Sequence, residues 1–127
     1  MGGRVLVVDD ALGVRESIRL LLEPEFEVET ADGVASALAS LRAARPDLVL
    51  LDLVMPGATG FDLLAQIRSQ SDPPPVIVVS ATRSISTAVD AMKGGAVDFI
   101  LKPFGAEELR GKVRAGVKGK TLATRGA

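Results

Sequence analysis

Short apolar runs alternate with helical patterns along most of the chain. Runs rich in β-branched residues predict five strands, at Val5 to Val8, Phe26 to Ala31, Leu48 to Leu51, Val76 to Val79 and Ala96 to Leu101. After each run, apolar residues recur at the spacing of one buried helix face. They are Val14, Ile18, Leu21 and Leu22; Val34, Leu38 and Leu41; Leu63, Leu64 and Ile67; Ile85, Ala88, Val89 and Met92; and Leu109, Val113 and Val117. The pattern predicts five strand and helix pairs in succession.

This alternation predicts an α/β fold with a doubly wound parallel sheet of five strands, for which we take the strand order 2-1-3-4-5 as a hypothesis. Right-handed crossovers place helices on both faces of such a sheet, and a closed parallel barrel would need eight units. The second strand, FEVETA, alternates apolar and polar residues as a half-exposed edge strand does. The four other strands are apolar enough for us to expect them in the interior.

The amino-acid composition excludes several kinds of functional site. The chain has 127 residues and a formal charge of -1, with no cysteine and no histidine, which suits one domain. Disulfides, thiolate or histidine metal sites and an internal phosphohistidine are therefore excluded. A cysteine-free chain fits a reducing cytoplasm, and no apolar run approaches the roughly 18 residues of a membrane span. We expect a soluble, cytoplasmic domain with no membrane contact.

Positive charge collects after position 101. The cations are Lys102, Arg110, Lys112, Arg114, Lys118, Lys120 and Arg125, against Glu107 and Glu108. From Arg110 onward no aromatic residue interleaves them, so we interpret this stretch as a solvated last helix and expect no direct nucleic-acid binding by this domain. Residues 1–118 are predicted to form the domain, and residues 119–127 a tail or the start of a linker.

Polar residues stand at the predicted strand ends. Asp9 and Asp10 follow the first strand, Asp52 closes LVLLD, Ser80 closes VIVVS, and Lys102 follows DFIL. Ligands of open parallel sheets bind beyond the carboxyl ends of the strands. If the first and third strands are neighbours, about 4.8 Å apart, the three carboxylates share one pocket. An oxygen-only cluster suits Mg²⁺, and Lys102 together with the metal balances the three negative charges.

Each of these residues has an ordinary structural role when taken alone. An aspartate after a strand can cap the next helix, a serine can serve in a turn, and Phe99, the aromatic residue of DFIL, is most simply core. The functional interpretation rests on their coincidence at one edge of one sheet.

Together these motifs resemble the receiver domain of bacterial two-component response regulators. The resemblance is carried by Asp9-Asp10, by Asp52 followed by LVMPGATG, by Ser80-Ala81 and by DFILKPF, and it extends from Val5 to about Val117. It implies a flavodoxin-like fold and a phosphoacceptor signalling domain that catalyses only its own phosphorylation and dephosphorylation. It also implies a sensor histidine kinase or phosphotransfer protein as donor. The stretch TAVDAMKGGAVDFILKPF is similar to receivers fused to transcription activators.

The resemblance assigns a role to each residue of the site. Asp52 is the phosphoacceptor, Mg²⁺ lies between Asp52, Asp10 and the backbone carbonyl of Val54, and Asp9 holds the metal through water. Lys102 contacts the phosphoryl group from the opposite side.

The same resemblance implies a conformational switch. Ser80 and the following Ala81 bind the new phosphoryl group, and Phe99 is the aromatic switch that alters the face of the fourth helix, fifth strand and fifth helix, a candidate homodimer surface. Val54 and Thr82 tune the lifetime of the acyl phosphate, and an apolar Val54 predicts slow self-hydrolysis. Lys102-Pro103 is a candidate cis peptide.

Three other functions are possible for a fold of this class, and each needs different residues. A flavin carrier of this fold class needs a glycine- and hydroxyl-rich loop after the first strand, where Asp9 and Asp10 would repel a phosphate. A phosphohydrolase resembling the haloacid dehalogenase group carries a second aspartate two positions after its nucleophile, where this chain has Ala11 or Leu12. A receiver fold used only for docking would not need the intact acid set. The output stays open between a fused effector and a stand-alone receiver that acts by protein–protein interaction.

Overall fold

The computed structural model describes residues 2–55 and 58–126, and the side chains of residues 2–55 and 60–119. Pro56 and Gly57 of the LVMPGATG stretch lie outside the described residues. Within the described part of the chain, no helix has the length and apolar character needed to cross a membrane.

Five strands and five helices alternate over the described residues. The strands are β1 (Arg4–Val8), β2 (Glu27–Ala31), β3 (Leu48–Asp52), β4 (Val76–Ser80) and β5 (Asp98–Leu101). The helices are α1 (Leu12–Leu22), α2 (Val34–Ala43), α3 (Gly60–Arg68), α4 (Ile85–Lys93) and α5 (Ala106–Gly126). A small antiparallel hairpin, Val54–Met55 with Ala58–Thr59, connects β3 to α3. The predicted succession of strand and helix pairs is confirmed.

The five strands form one parallel sheet in the order β2-β1-β3-β4-β5, as predicted. Val8 of β1 pairs with Leu51 of β3, so Asp9 and Asp52 leave the sheet at the same level. Ser80, the last residue of β4, pairs with Leu101, the residue before Lys102. The register therefore brings the polar strand ends to one edge of the sheet.

Two apolar layers cover the sheet, because successive strand side chains point to opposite faces. One layer joins strand residues such as Leu6, Val49 and Val78 to α2, α3 and Ala91 of α4. The other joins strand residues such as Val7, Leu50 and Ile77 to α1 and α5. All five residues of β3 are buried, since this strand has a neighbour on each side and helices on both faces.

Two predictions about burial are wrong. We expected β5 in the interior, but it forms the sheet edge opposite β2, and only Ile100 of its residues is fully buried, because an edge strand has one neighbour. We expected the apolar stripe of α4 to face the core, but Ile85 is 81% exposed. Ala91 is the buried residue of α4, so this helix meets the sheet through a small side chain and turns its larger apolar residues outward. The half-exposed edge position predicted for β2 is confirmed.

Besides its buried apolar residues, helix α5 contacts the rest of the domain through its cations. Arg110 Nε donates to the carbonyl oxygen of Leu21 at 2.9 Å. Arg114 forms a bidentate pair with Glu25, in which its Nη2 lies 2.7 Å from Oε1. The helix continues to Gly126, past position 118. The domain boundary at 118 therefore does not coincide with a helix end, and it stays a prediction.

Candidate functional site

Three carboxylates meet where β1 and β3 end. Oxygen atoms of Asp9, Asp10 and Asp52 all lie within 4.8 Å of one another. Asp9 is 2% exposed and Asp52 is 5% exposed, whereas Asp10 lies at the surface. The cluster is thus a pocket with two buried acids and a third at its mouth. The metal ligands that these side chains offer are all carboxylate oxygens.

Lys102 enters this pocket from the end of β5. Its Nζ donates to Asp9 Oδ2 at 2.8 Å and lies 3.8 Å from Asp52 Oδ2. Its backbone N–H donates to the carbonyl oxygen of Ser80 at 2.8 Å, and the Lys102–Pro103 peptide bond is cis. One ammonium group against three carboxylates leaves the pocket negative, which is the charge balance that a divalent cation would complete.

Both carboxylate oxygens of Asp9 accept a hydrogen bond. Its Oδ1 accepts the backbone N–H of Ala11 at 2.9 Å, while its Oδ2 accepts Lys102. Ala11 is the N-cap residue of α1, and no side chain caps that helix. The aspartate doublet is therefore not explained by helix capping, the ordinary role that a single acid there would have.

The sequence reasoning missed Arg15. Its Nη1 donates to the carbonyl oxygen of Asp9 at 2.8 Å, which ties the first turns of α1 to the end of β1. A signal was present, because the first turn of a helix favours acidic residues and α1 has none there. An arginine in the first turn of α1, six residues after Asp9, therefore indicates a hydrogen-bond acceptor near the end of β1.

Asp52 sits in an environment that disfavours its charge. Burial raises the pKa of Asp52 above its usual range, and the Asp9 and Asp10 carboxylates act in the same direction. The hydrogen bond from the Val54 N–H to Asp52 Oδ1, at 3.2 Å, and the charge of Lys102 act against this rise in pKa. The ionised form of Asp52 therefore gains from any added cation.

The predicted switch residues divide between the pocket and the flank of the domain. Ser80 is fully buried at the end of β4, and its Oγ accepts the Thr82 N–H at 3.2 Å. Ala81 is exposed and Thr82 is partly buried. Phe99 lies three residues before Lys102, opposite Val78 in the register, and is partly buried against the layer that includes α4. The structure thus brings Ser80 to the edge of the sheet where the three aspartates lie. Phe99 lies two residues before the end of β5, away from that edge.

Val54 is one of the exposed residues of the predicted set. Its side chain lies at the surface, with the residue 66% exposed, and its N–H bonds to Asp52. This position directly follows the buried end of β3, so an exposed apolar group stands beside the pocket.

An open cavity of about 720 Å³ adjoins the pocket between α1 and the residues after β5. Its lining is Ala11, Gly13, Val14, Ser17, Leu21, Ala81, Lys102, Pro103 and Phe104. Most of these side chains are apolar, so the cavity can receive an apolar group next to the carboxylates.

The sequence matches the family model of the response regulator receiver domain over residues 5–114. The chain belongs to this family. It is 40% identical over 116 residues to Response regulator MprA of Mycobacterium bovis, an alignment that covers 91% of this chain and 50% of MprA. The chain thus spans about half the length of the curated relatives that it matches.

Solved structures agree with this assignment. The receiver domain of NtrX from Brucella abortus superposes with a TM-score of 0.85 at 37% identity, covering 90% of this chain and 98% of that chain. A longer NtrX structure from the same organism superposes with a TM-score of 0.92 at 35% identity, covering 98% of this chain and 29% of that chain. The fold and the response regulator family are therefore shown together, and the chain is a signalling domain.

Proposed function

We propose that this receiver accepts a phosphoryl group on Asp52 in a Mg²⁺-dependent reaction, from a sensor histidine kinase or a phosphotransfer protein. One observation carries the proposal: carboxylates from the ends of two neighbouring strands converge within 4.8 Å, with Lys102 beside them. The chain contains no histidine, so the phosphohistidine that donates the group lies outside these 127 residues.

The reaction is a displacement at phosphorus. A carboxylate oxygen of Asp52 attacks the phosphorus atom, the new O–P bond forms, and the P–N bond to the donor imidazole breaks with its electron pair returning to nitrogen. An ionised carboxylate has no proton to lose, so no general base is needed. The Lys102 ammonium, 3.8 Å from Asp52 Oδ2, stabilises negative charge on the transferring oxygens.

The acid pocket fits Mg²⁺. Asp10, Asp52 and the Val54 carbonyl would hold the ion directly, whereas Asp9 would act through water, since both of its carboxylate oxygens already accept hydrogen bonds. When bound, the ion supplies positive charge that offsets the charge of the phosphoryl oxygens. Partial desolvation of the pocket makes that charge more effective than it is in water.

Phosphorylation switches the protein through Ser80. Its hydroxyl, which accepts the Thr82 N–H in this structure, turns to donate to the phosphoryl group and draws Ala81 and Thr82 inward. Phe99 then turns into the space beneath α4, and the face formed by α4, β5 and α5 changes. Charge-assisted hydrogen bonds of about 1.5–3 kcal/mol each are sufficient to bias such a two-state element.

Val54 and Thr82 set the lifetime of the acyl phosphate in this proposal. The exposed, apolar Val54 offers no hydrogen bond to orient a hydrolytic water, so self-hydrolysis is slow. Loss of the phosphorylated form within seconds at neutral pH contradicts this part.

The output is read from the α4 side of the domain. Exposed apolar residues on and after α4, namely Ile85, Val89, Met92 and Val97, offer a surface for a homodimer or an effector. We infer that residues 1–118 form the receiver and that residues 119–127 are a tail or the start of a linker. We also infer a fused effector for transcription regulation in the cytoplasm. The second candidate is a stand-alone receiver, which would use the same exposed residues to bind a partner protein.

Phosphoryl uptake tests the central proposal. We expect incubation with acetyl phosphate and Mg²⁺ to add one phosphoryl group, seen by intact mass and mapped to Asp52. Asp52→Asn abolishes uptake, whereas the matched change Asp90→Asn, on the exposed face of α4, leaves it intact. EDTA prevents uptake. A wild-type protein that stays unmodified, or an Asp52→Asn variant that is still modified at the same rate, contradicts the proposal.

A further inference from the structure

Among the glycines at which a Cβ atom would collide with a neighbour, two touch opposite ends of β3. A Cβ atom at Gly60 would collide with the Asp52 carbonyl oxygen and would lie 2.5 Å from Leu53 Cα. A Cβ atom at Gly116 would collide with Leu48 Cδ1. Leu48 begins β3 and Asp52 ends it, so one glycine lies beside the acid pocket and the other at the far edge of the sheet.

The two collisions differ in what could relieve them. At Gly116 the obstacle is the tip of a leucine side chain, which has other rotamers. At Gly60 the obstacle is backbone, which cannot rotate away without moving the chain. Gly60 is also the first residue of α3, and its N–H donates to the Leu53 carbonyl oxygen at 2.9 Å.

We propose that Gly60 is a positioning residue for phosphoryl transfer, an inference that rests on the function proposed above. Having no Cβ, it lets the start of α3 lie directly against the Asp52–Leu53 peptide, and its N–H holds the Leu53 carbonyl. Along the chain, Leu53 separates Asp52 from Val54. The contact of Gly60 with the Asp52–Leu53 backbone therefore sets the position of the Asp52 carboxylate and of the Val54 carbonyl relative to Asp9 and Asp10.

The expected displacement is large on the scale of this chemistry. Bringing an alanine Cβ from 2.5 Å to the 3.4 Å of ordinary contact with Leu53 Cα moves the backbone by about 0.9 Å. Misplacement of reacting groups by about 1 Å slows reactions by roughly 10²-fold. Helix propensity acts the other way, because alanine is the better helix former, so a loss in Gly60→Ala reflects the collision.

A pair of matched variants tests the proposal. We expect Gly60→Ala to slow phosphoryl uptake from acetyl phosphate by about 10- to 100-fold and to weaken Mg²⁺ binding, measured by titration calorimetry on the unphosphorylated protein. Gly116→Ala should leave both uptake and Mg²⁺ affinity at the wild-type values, because its collision is with a side-chain tip at the other end of β3. A folded Gly60→Ala protein with wild-type uptake and wild-type Mg²⁺ affinity overturns the proposal.

A measurement on the unchanged protein keeps the test decisive if Gly60→Ala does not fold. Local opening that breaks the Gly60–Leu53 hydrogen bond would move the metal-binding groups, so Mg²⁺ must suppress that opening if the coupling exists. Amide exchange at Gly60 should slow on adding Mg²⁺ by more than exchange at Ser69, whose N–H bonds to the Ala65 carbonyl just after the other end of α3. An equal change at both amides overturns the proposal. Wild-type protein that binds Mg²⁺ with this exchange pattern but takes up no phosphate refutes the proposed function, and it leaves standing only the coupling of Gly60 to the metal-binding groups.

Discussion

The two ends of β3 are equally buried and chemically opposite. Leu48 is 0% exposed and Asp52 is 5% exposed, yet Leu48 lies in an apolar layer with α1 and α5, while Asp52 faces two other carboxylates and one lysine. Burying a leucine side chain stabilises the fold by about 1.5–3 kcal/mol, whereas burying a carboxylate is unfavourable unless cations and hydrogen bonds compensate. Equal burial therefore stabilises the fold at one end of the strand, whereas at the other end it opposes the charge of the proposed phosphoacceptor.

The largest effect is expected at the apolar end. Leu48→Ala should lower the free energy of unfolding by about 2–5 kcal/mol, because it removes buried methyl groups and leaves a cavity. Urea unfolding followed by circular dichroism measures the loss. Phosphoryl uptake by the folded fraction should stay at the wild-type level. A loss below about 1 kcal/mol would mean that this end of the strand does not carry the stability assigned to it.

The next effect concerns the cation at the acid end. Lys102→Met should lower the free energy of unfolding in metal-free buffer by about 1.5–3 kcal/mol, because the buried Asp9 loses its charged hydrogen-bond donor. Added Mg²⁺ should restore part of that stability, since an ion that binds the native pocket stabilises it. Lys118→Met, at an exposed position of α5, is the control and should change little. Equal losses in the two variants would contradict the role of Lys102.

A smaller effect, of opposite sign, is expected when the buried charge itself is removed. Because the pKa of Asp52 is raised in the folded state, the fold prefers its protonated form, and the free energy of unfolding falls as pH rises from the ordinary carboxyl range through the raised pKa. In metal-free buffer Asp52→Asn should therefore be more stable than wild type at neutral pH. Thermal unfolding from pH 3 to pH 8 measures the difference, which should vanish at the acidic end. An asparagine variant less stable than wild type at pH 7 would contradict the sign.

The smallest effect is expected at an apolar residue that belongs to neither end. Ile85 is 81% exposed on α4, so Ile85→Ala should change the free energy of unfolding by no more than about 0.5 kcal/mol. The comparison with Leu48→Ala, in which a large aliphatic side chain is likewise cut to alanine, isolates burial as the cause. A loss comparable to that of Leu48→Ala would mean that Ile85 is covered by the protein itself.

Helices α4 and α5 show why sequence pattern predicted one burial correctly and the other wrongly. Both carry apolar residues at helical spacing, and in α5 these residues, Leu109 and Val113, are fully buried. In α4 Val89 is 42% exposed. Periodicity shows that an apolar stripe exists, but the stripe of a helix beside an edge strand need not face that strand. Which surface covers the stripe depends on packing that no local pattern encodes.

Arg15 and Gly60 were missed for a related reason. Each acts on backbone atoms of another segment, the Asp9 carbonyl for Arg15 and the Asp52–Leu53 peptide for Gly60. The three aspartates, Ser80 and Lys102 could be predicted because each has a polar side chain at the end of an apolar strand. A contact with backbone atoms does not depend on the type of the contacted residue, so the sequence does not show it and the three-dimensional structure does.

The sequence alone determined the order of strands and helices along the chain, the open parallel sheet and the edge at which the polar residues lie. These features follow from local periodicity and from the rule that parallel strands end on one side. Tertiary structure alone decided which oxygens face Lys102, how Asp52 is charged at a given pH, which face of α4 meets water and where a methyl group cannot fit. The reason is physical: these properties depend on distances and solvent exclusion between segments far apart in the chain, and those are determined by packing to a fraction of an ångström.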